Sequence, residues 1–219
     1  MKNAATWAQQ LSDRRGKEVI FLSHCLLNEN TRYVGGACER GASVSVVQAC
    51  LNRGYGIVQM PCPEQHAWGG VLKRHLLRFF GSRGTLLVRI QSIALPALLW
   101  YTRRLYRRLA QQVAQHAADY VTSGFRVVGF VAVDGSPSCG LTQTIDLRKA
   151  LGLVATLHPA STTEDLNGMI LESVIPGRGI FVEALQYEVS RRGLGIPFLA
   201  FDLTSELQGR PSVLDLTAA

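Results

Sequence analysis

Four short apolar runs recur along the chain, and each is rich in residues that favour β-strands. They cover residues 18–24, 56–60, 127–133 and 196–203. Their length suits buried strands, and each run leads into a polar or turn-forming segment. Apolar residues with helical spacing lie between the runs, over residues 41–53, 95–121 and 181–192. Because strands alternate with helices, the pattern predicts an α/β fold with a parallel sheet flanked by helices.

Length and composition favour a single domain. The chain has 219 residues, of which 47% are hydrophobic, and this is enough to bury one core. We expect an N-terminal extension or short helix over residues 1–16, the α/β domain over residues 17–205 and a C-terminal tail over residues 206–219. The N-terminal extension has no uninterrupted apolar stretch of signal-peptide length, so a cytoplasmic location is expected.

The predicted helix over residues 95–121 has two contrasting faces. The apolar stretch at its start, residues 93–101, is too short to span a bilayer, so no transmembrane segment is expected. On a helical wheel, one face carries Leu98, Tyr101, Leu105, Leu109 and Val113, and the opposite face carries Arg103, Arg104, Arg107 and Arg108. This pattern predicts a helix packed on the sheet with a basic outer face; an interfacial membrane helix is the alternative.

Positive charge is concentrated in one part of the chain. The net charge is +7, and residues 65–118 contain nine Lys and Arg residues but no Asp or Glu. The basic segment, residues 72–108, is therefore a candidate surface for nucleic acid or another polyanion. A basic face that contacts only solvent is the alternative.

The cysteines favour metal binding or catalysis over disulfides. Five cysteines are too few and too scattered for a disulfide scaffold, and a reducing compartment disfavours one. Cys25, Cys62 and Cys139 each follow a predicted strand. The carboxyl ends of parallel strands lie at one edge of a sheet, so these three thiols should converge. Cys38 lies after a polar loop and Cys50 lies within a predicted helix, so neither is expected to be a ligand.

Three converging thiolates suit either zinc or an iron-sulfur cluster. Zinc normally takes a fourth ligand, which His24 or His66 could supply. A 4Fe-4S cluster held by three cysteines would instead leave one iron open to substrate. The remaining alternative is that the three cysteines only pack in the core. Packing alone explains poorly why all three cysteines follow strands, and of the two metal centres we favour the iron-sulfur cluster.

Polar residues next to the cysteines are candidates for catalysis and for substrate binding. Glu64, two residues after Cys62, could act as a general acid or base, and Ser136 could donate a hydrogen bond to substrate or cluster sulfur. Capping of local turns is the alternative role for both. Asn28, Arg32 and Tyr33 lie in the polar loop after Cys25 and are candidates for binding a polar heterocycle.

The motifs together resemble those of the thiouracil desulfidase (TudS-like) family. They are Ser23-His24-Cys25-Leu26-Leu27-Asn28, Arg32-Tyr33-Val34-Gly35-Gly36, Pro61-Cys62-Pro63-Glu64 and Ser136-Pro137-Ser138-Cys139-Gly140, and residues 176–185 and 196–203 are similar as well. The loop that follows the first cysteine differs from the usual family pattern, which indicates a divergent subgroup. The resemblance covers most of the predicted domain, about residues 19–203.

The resemblance implies a Rossmann-like fold and an oxygen-sensitive 4Fe-4S cluster on Cys25, Cys62 and Cys139. It implies that the open iron binds the sulfur of a thiouracil-like base, that Glu64 and Ser136 assist catalysis, and that sulfur leaves as sulfide in a hydrolytic, non-redox reaction. Two alternatives stay open: sulfur removal or transfer on a thiolated nucleotide or tRNA, and a non-catalytic metal-binding or redox-sensing protein.

Overall fold

A computed structural model describes residues 13–76 and 91–217 of the chain. Its strands are β1 (Glu18–Leu22), β2 (Gly56–Gln59), β3 (Arg126–Asp134), β4 (Gln143–Ile145), β5 (Val174–Pro176) and β6 (Phe198–Asp202). Its helices are α1 (His24–Leu27), α2 (Val44–Asn52), α3 (Pro63–Ala67), α4 (Gln91–Thr122), α5 (Leu147–Val154), α6 (Thr163–Glu172), α7 (Ile180–Arg191) and α8 (Leu203–Leu207). A short 3₁₀ helix, Glu29–Thr31, follows α1.

The main sheet is parallel and has the strand order β2-β1-β3-β6. The fold is therefore the mixed α/β, Rossmann-like single domain that the sequence predicted. The central strands β1 and β3 are buried because their residues are almost continuously apolar; both are buried at every position after the first residue. Such continuous runs are typical of parallel strands that helices cover on both faces. Strands β2, β1 and β3 are neighbours in this sheet, and they are the strands that Cys62, Cys25 and Cys139 follow.

Helix α4 has a buried face of small, aromatic and aliphatic residues. Tyr106 and Ala110 are fully buried, and all four arginines of the predicted basic face are exposed. The prediction that Tyr101 lies on the packed face is wrong, because its side chain is 50% exposed. Thr102 is fully buried instead. The buried stripe therefore keeps the predicted Leu109 and Val113 and extends one position further along the helix, to Tyr106 and Ala110.

A smaller layer lies beside the main sheet. Strands β4 and β5 form an antiparallel pair, with Thr144 opposite Ile175. Helices α5 and α6 lie between these strands in sequence and contact each other. Helix α6 begins with a capping box in which Thr162 and Asp165 each bond the other's backbone amide. This layer encloses one side of the candidate site.

The C-terminal residues also contribute to the core. Leu214 and Leu216 are buried there, although the sequence predicted a tail from residue 206. The predicted N-terminal extension lies outside the described residues up to residue 12. None of the helices in the described ranges combines the length and the apolar character needed to span a bilayer.

Candidate functional site

The three predicted cysteine ligands lie at the ends of three neighbouring strands. Cys25 lies in the first turn of α1, directly after β1, and Cys139 lies in the turn after β3. Cys62 is the N-cap of α3, where its Sγ accepts a hydrogen bond from the Gln65 amide at 3.4 Å. All three side chains line one cavity of about 280 Å³. The structure thus brings together three residues that lie far apart in sequence.

Backbone hydrogen bonds fix the turn that carries Cys139. Its carbonyl accepts a bond from the Val133 amide at 2.8 Å, and its own amide donates to Ser136 Oγ at 3.0 Å. The carboxylate of Asp134 accepts bonds from three consecutive amides after the turn, those of residues 141–143. Because its amides and carbonyl are engaged, the turn holds Cys139 in one orientation.

The N-terminus of α7 closes over the same turn. The Phe181 and Val182 amides donate to the Ser138 carbonyl at 3.0 and 3.2 Å. Gly179 permits this approach, because a Cβ there would lie 2.4 Å from the Ser138 carbonyl. Tyr106 of α4 adds a side-chain contact, with its hydroxyl 2.9 Å from Ser138 Oγ in the core. The cysteine turn is thus held between α4 and α7.

Burial raises the pKa of each of the three thiols, and the neighbouring cysteines add to the rise in pKa of Cys62 and Cys139. Burial raises the pKa of Cys25, and the positive charge of Arg32 opposes it. Burial, and then the charge of Glu64, raises the pKa of Cys62 to about 12. The pKa of Cys139 lies well above its usual value because of burial and then the charges of Cys25, Glu64 and Cys62. The thiols are therefore protonated at neutral pH, and metal binding would release their protons.

Three of the candidate metal donors that share the cavity are thiols. Within residues 13–76 and 91–217, no group of three or more His, Cys, Asp or Glu side chains is arranged so that it could hold a metal ion. A zinc site needs such a group, with ligand sulfurs on one ion at about 2.3 Å. Cluster ligands bind different iron atoms, so they need only surround a common space. Three thiols on one cavity wall meet that weaker requirement.

The two histidines considered for zinc have other partners. His24 Nδ1 lies 2.9 Å from Gln59 Nε2, and His66 Nδ1 lies 2.8 Å from the Cys62 carbonyl oxygen. Burial, and then the charge of His66, lowers the pKa of His24. Of the two, His24 lines the cavity. Both hydrogen bonds engage only Nδ1, and a metal-ligating histidine usually hydrogen-bonds through its second ring nitrogen, so the contacts leave the zinc alternative open.

Glu64 and Ser136, the two residues predicted to assist catalysis, both line the cavity. Ser136 Oγ lies 3.5 Å from Glu64 Oε1. The other carboxylate oxygen of Glu64 forms an ion pair with Lys73 Nζ at 3.2 Å. Both side chains of that pair are mostly buried, with 14% and 11% exposure. The ion pair fixes the carboxylate and turns Oε1 towards Ser136.

Sequence reasoning missed Lys73, which it assigned to the basic segment. Its side chain is buried and also donates to the Thr31 carbonyl at 2.8 Å. The residue has a φ of 51°, which is uncommon for a residue with a Cβ and is found mostly where tertiary contacts hold the backbone. Its only signal in the sequence was a positive charge near a cysteine motif. It therefore belongs to the candidate site and not to the basic surface.

The three predicted substrate-binding residues separate into two groups. Arg32 and Tyr33 line the cavity, whereas Asn28 is not among its lining residues. Arg32 forms buried ion pairs of 3.0 Å with both Glu29 and Glu206. The Tyr33 hydroxyl donates to Asn167 at 2.9 Å.

Asn28 has a local role in the structure. Its Oδ1 accepts hydrogen bonds from the backbone and side-chain nitrogens of Asn30, at 3.3 and 2.9 Å, and so caps the 3₁₀ helix.

The two remaining cysteines lie away from the cavity. Cys50, on α2, is fully buried in the core. Cys38 is exposed and its amide donates to Glu29 at 2.8 Å. Neither cysteine lines the cavity.

The basic segment is described only in part. Residues 77–90 lie outside the described residues. In α4, the exposed arginines 103, 104, 107 and 108 lie close to Trp100, which is 65% exposed. This surface keeps the basic character that the sequence predicted.

Comparison with known proteins gives little guidance. No protein-family model matches the chain, and no solved structure matches it. A stretch of 50 residues is 42% identical to part of the uncharacterized protein MJ0003 of Methanocaldococcus jannaschii. The stretch is 23% of this chain and 32% of that protein, so the match spans about a third of the relative's length.

Proposed function

We propose that the protein is a desulfidase that removes sulfur as sulfide from a small thiolated compound. The observation that carries the proposal is that Cys25, Cys62, Cys139, Glu64 and Ser136 line one cavity at the carboxyl edge of the parallel sheet. Ligand sites of open α/β sheets lie at this edge. The similarity of the cysteine motifs to thiouracil desulfidases supports the choice of reaction.

Cys25, Cys62 and Cys139 would hold a 4Fe-4S cluster. When bound, the cluster would supply a Lewis-acidic iron without a protein ligand, which takes the substrate sulfur. The buried thiols would exclude water from their side of the cavity.

We also propose a cytoplasmic location, because a reducing compartment keeps all five cysteines free, as they are in the structure.

The overall reaction is a hydrolysis in which electrons balance without a redox partner. Water adds oxygen to the thiocarbonyl carbon, the carbon-sulfur bond breaks, and both protons of water leave with sulfur as hydrogen sulfide. In this proposal Glu64 takes a proton from the attacking water; the free Oε1 supports this role, since Oε2 is paired with Lys73 and Oε1 faces the cavity residue Ser136. Proton transfer by a positioned carboxylate contributes about 10²–10⁴ in rate.

Ser136 is placed to donate a hydrogen bond to the substrate. Its Oγ already accepts bonds from the amides of Ser138 and Cys139, at 3.3 and 3.0 Å. The hydroxyl proton is therefore directed away from the turn. Its contact with Glu64, at 3.5 Å, is long and weak. A substrate heteroatom that enters the cavity would be a better acceptor.

Anaerobic reconstitution tests the cofactor. We expect about four iron atoms per chain, as for a thiolate-bound 4Fe-4S cluster. Cys139→Ala should abolish iron retention, whereas Cys50→Ala, another buried cysteine that does not line the cavity, should retain it. Stoichiometric zinc without iron, or full iron content in Cys139→Ala, would overturn the assignment.

Sulfide release from thiouracil and related bases tests the activity. We expect release by the reconstituted protein, and a reduction of at least about 100-fold in Glu64→Gln with its iron content unchanged. Glu183→Gln, on exposed surface of α7, is the matched control and should keep full activity. An iron-loaded protein that releases no sulfide from any thiolated base would contradict the proposal and leave a binding or sensing role.

A thiolated RNA substrate is the second candidate. The exposed arginines of α4, with Trp100 beside them, carry this candidate, because cationic and aromatic side chains together bind single-stranded nucleic acid. Its test is tRNA binding at increasing salt. An affinity that falls steeply with salt, and that drops in Arg104→Gln, would favour it. The absence of binding at low salt would exclude it.

A further inference from the structure

The proposed reaction leaves a large apolar part of the cavity wall without a role. Every residue that the segment 145–170 contributes to the cavity is apolar. Six of them form what we call the apolar wall: Leu147, Leu151, Val154, Leu157, Leu166 and Ile170. The polar cavity residues come from other parts of the chain, chiefly the loops after β1, β2 and β3.

Helical periodicity directs this wall into the cavity. Leu147, Leu151 and Val154 are spaced i, i+4 and i+7 on α5, so they lie on one face. Leu166 and Ile170 are spaced i, i+4 on α6, which contacts α5. The two apolar faces therefore line the same space.

The apolar wall is not fully packed by the protein. Leu147, Val154, Leu166 and Ile170 are only half-buried, and α6 has no fully buried residue. Apolar side chains that face a cavity gain free energy when an apolar group covers them. A small polar base offers no such group, because its heteroatoms need hydrogen-bond partners that this wall lacks.

We propose that the substrate is a thiolated heterocycle with an apolar substituent, alkyl or aryl, that binds against the apolar wall. This inference rests on the proposed desulfidase function, since the thiols and Glu64 must face the sulfur-bearing ring. Polar residues would then orient the ring, and the wall would select for the substituent. Such a division between a few polar groups and an apolar lining is usual in small-molecule sites.

Calorimetric titration of the reconstituted protein with thiouracil and with propylthiouracil tests the inference. Each buried methylene contributes about fourfold to affinity, so the propyl compound should bind at least about tenfold more tightly. Leu166→Ser should reduce this ratio at least about threefold. Leu171→Ser is the matched control, because Leu171 is a half-buried leucine of α6 outside the cavity, and it should leave the ratio unchanged.

The outcomes separate the inference from the proposed function. Three results would each overturn the inference, even if sulfide is released. They are equal affinity for the two compounds, no measurable binding of propylthiouracil, and a Leu166→Ser variant with an unchanged ratio of the two affinities. A retained preference for the propyl compound without sulfide release would support the apolar wall and contradict the desulfidase. Far-ultraviolet circular dichroism of both variants confirms that each is folded.

Discussion

Replacement of Gly179 by alanine tests how the cysteine turn is held. Gly179 is the residue before α7, with φ −71° and ψ 147°. Alanine adopts these angles without strain, so the effect of the change is steric. The added Cβ would lie 2.4 Å from the carbonyl carbon and oxygen of Ser138 and 2.7 Å from the amide nitrogen of Cys139. These are backbone atoms, which cannot rotate away as a flexible side chain can.

The expected loss of stability follows from these contacts. Overpacking a close-packed site costs about 1–3 kcal/mol. The lower backbone entropy of alanine in the unfolded chain offsets about 0.4–1 kcal/mol of this cost. We expect the free energy of unfolding of Gly179→Ala to fall by about 1–2 kcal/mol. Because the turn itself must move, the reconstituted variant should also hold less iron.

Urea unfolding and iron analysis measure the two effects. Gly152→Ala is the matched control, since Gly152 lies within α5 and a Cβ there meets nothing within 4 Å. That variant should gain about 0.5–1 kcal/mol and hold a full complement of iron. If Gly179→Ala matched the control in both stability and iron content, the close approach of α7 to the cysteine turn would not matter and the reasoning would be refuted.

Two further predictions concern buried and exposed polar groups. Tyr106→Phe removes the partner of the buried Ser138 hydroxyl and should lower the free energy of unfolding by about 1–2 kcal/mol. The control Tyr187→Phe, at an exposed position, should leave this free energy unchanged. Equal stabilities of the two variants in urea would contradict the prediction. Burial, and then the charge of Glu206, raises the pKa of Cys38 to about 11. A raised pKa means less thiolate at neutral pH, so its alkylation, followed by peptide mass spectrometry, should accelerate about tenfold per unit from about pH 7 to pH 10. A plateau by about pH 9 would indicate an unperturbed thiol.

The main sheet could be predicted because its strands carry a strong pattern. The observed β1 and β3 lie within a few residues of the predicted runs 18–24 and 127–133. The convergence of the cysteines then follows from the parallel arrangement alone. The sequence did not reveal the smaller layer, because β4 and β5 have three residues each, too few to show a period. The capping box of Thr162 and Asp165 was the sequence feature that could have indicated the start of α6.

Side-chain partners were harder to predict than positions. Lys73 meets Glu64 only because the chain turns back after α3, through Gly69 and Gly70, both of which have positive φ. No pattern in the sequence distinguishes this lysine from its basic neighbours. Arg32 likewise has Glu206 as a partner, 174 residues away. Pairings of this kind depend on tertiary packing, which a single sequence does not show.

The late position of the third cysteine has a consequence during synthesis. Cys25 and Cys62 leave the ribosome well before Cys139, and the amides of residues 181 and 182 that hold the Cys139 turn emerge later still. A nascent chain that lacks α7 therefore has its thiols and the local bonds of the Cys139 turn, but not the two bonds from α7. If the protein holds the proposed cluster, we expect such a chain to bind iron more weakly than the finished protein, so that stable iron binding would follow completion of α7.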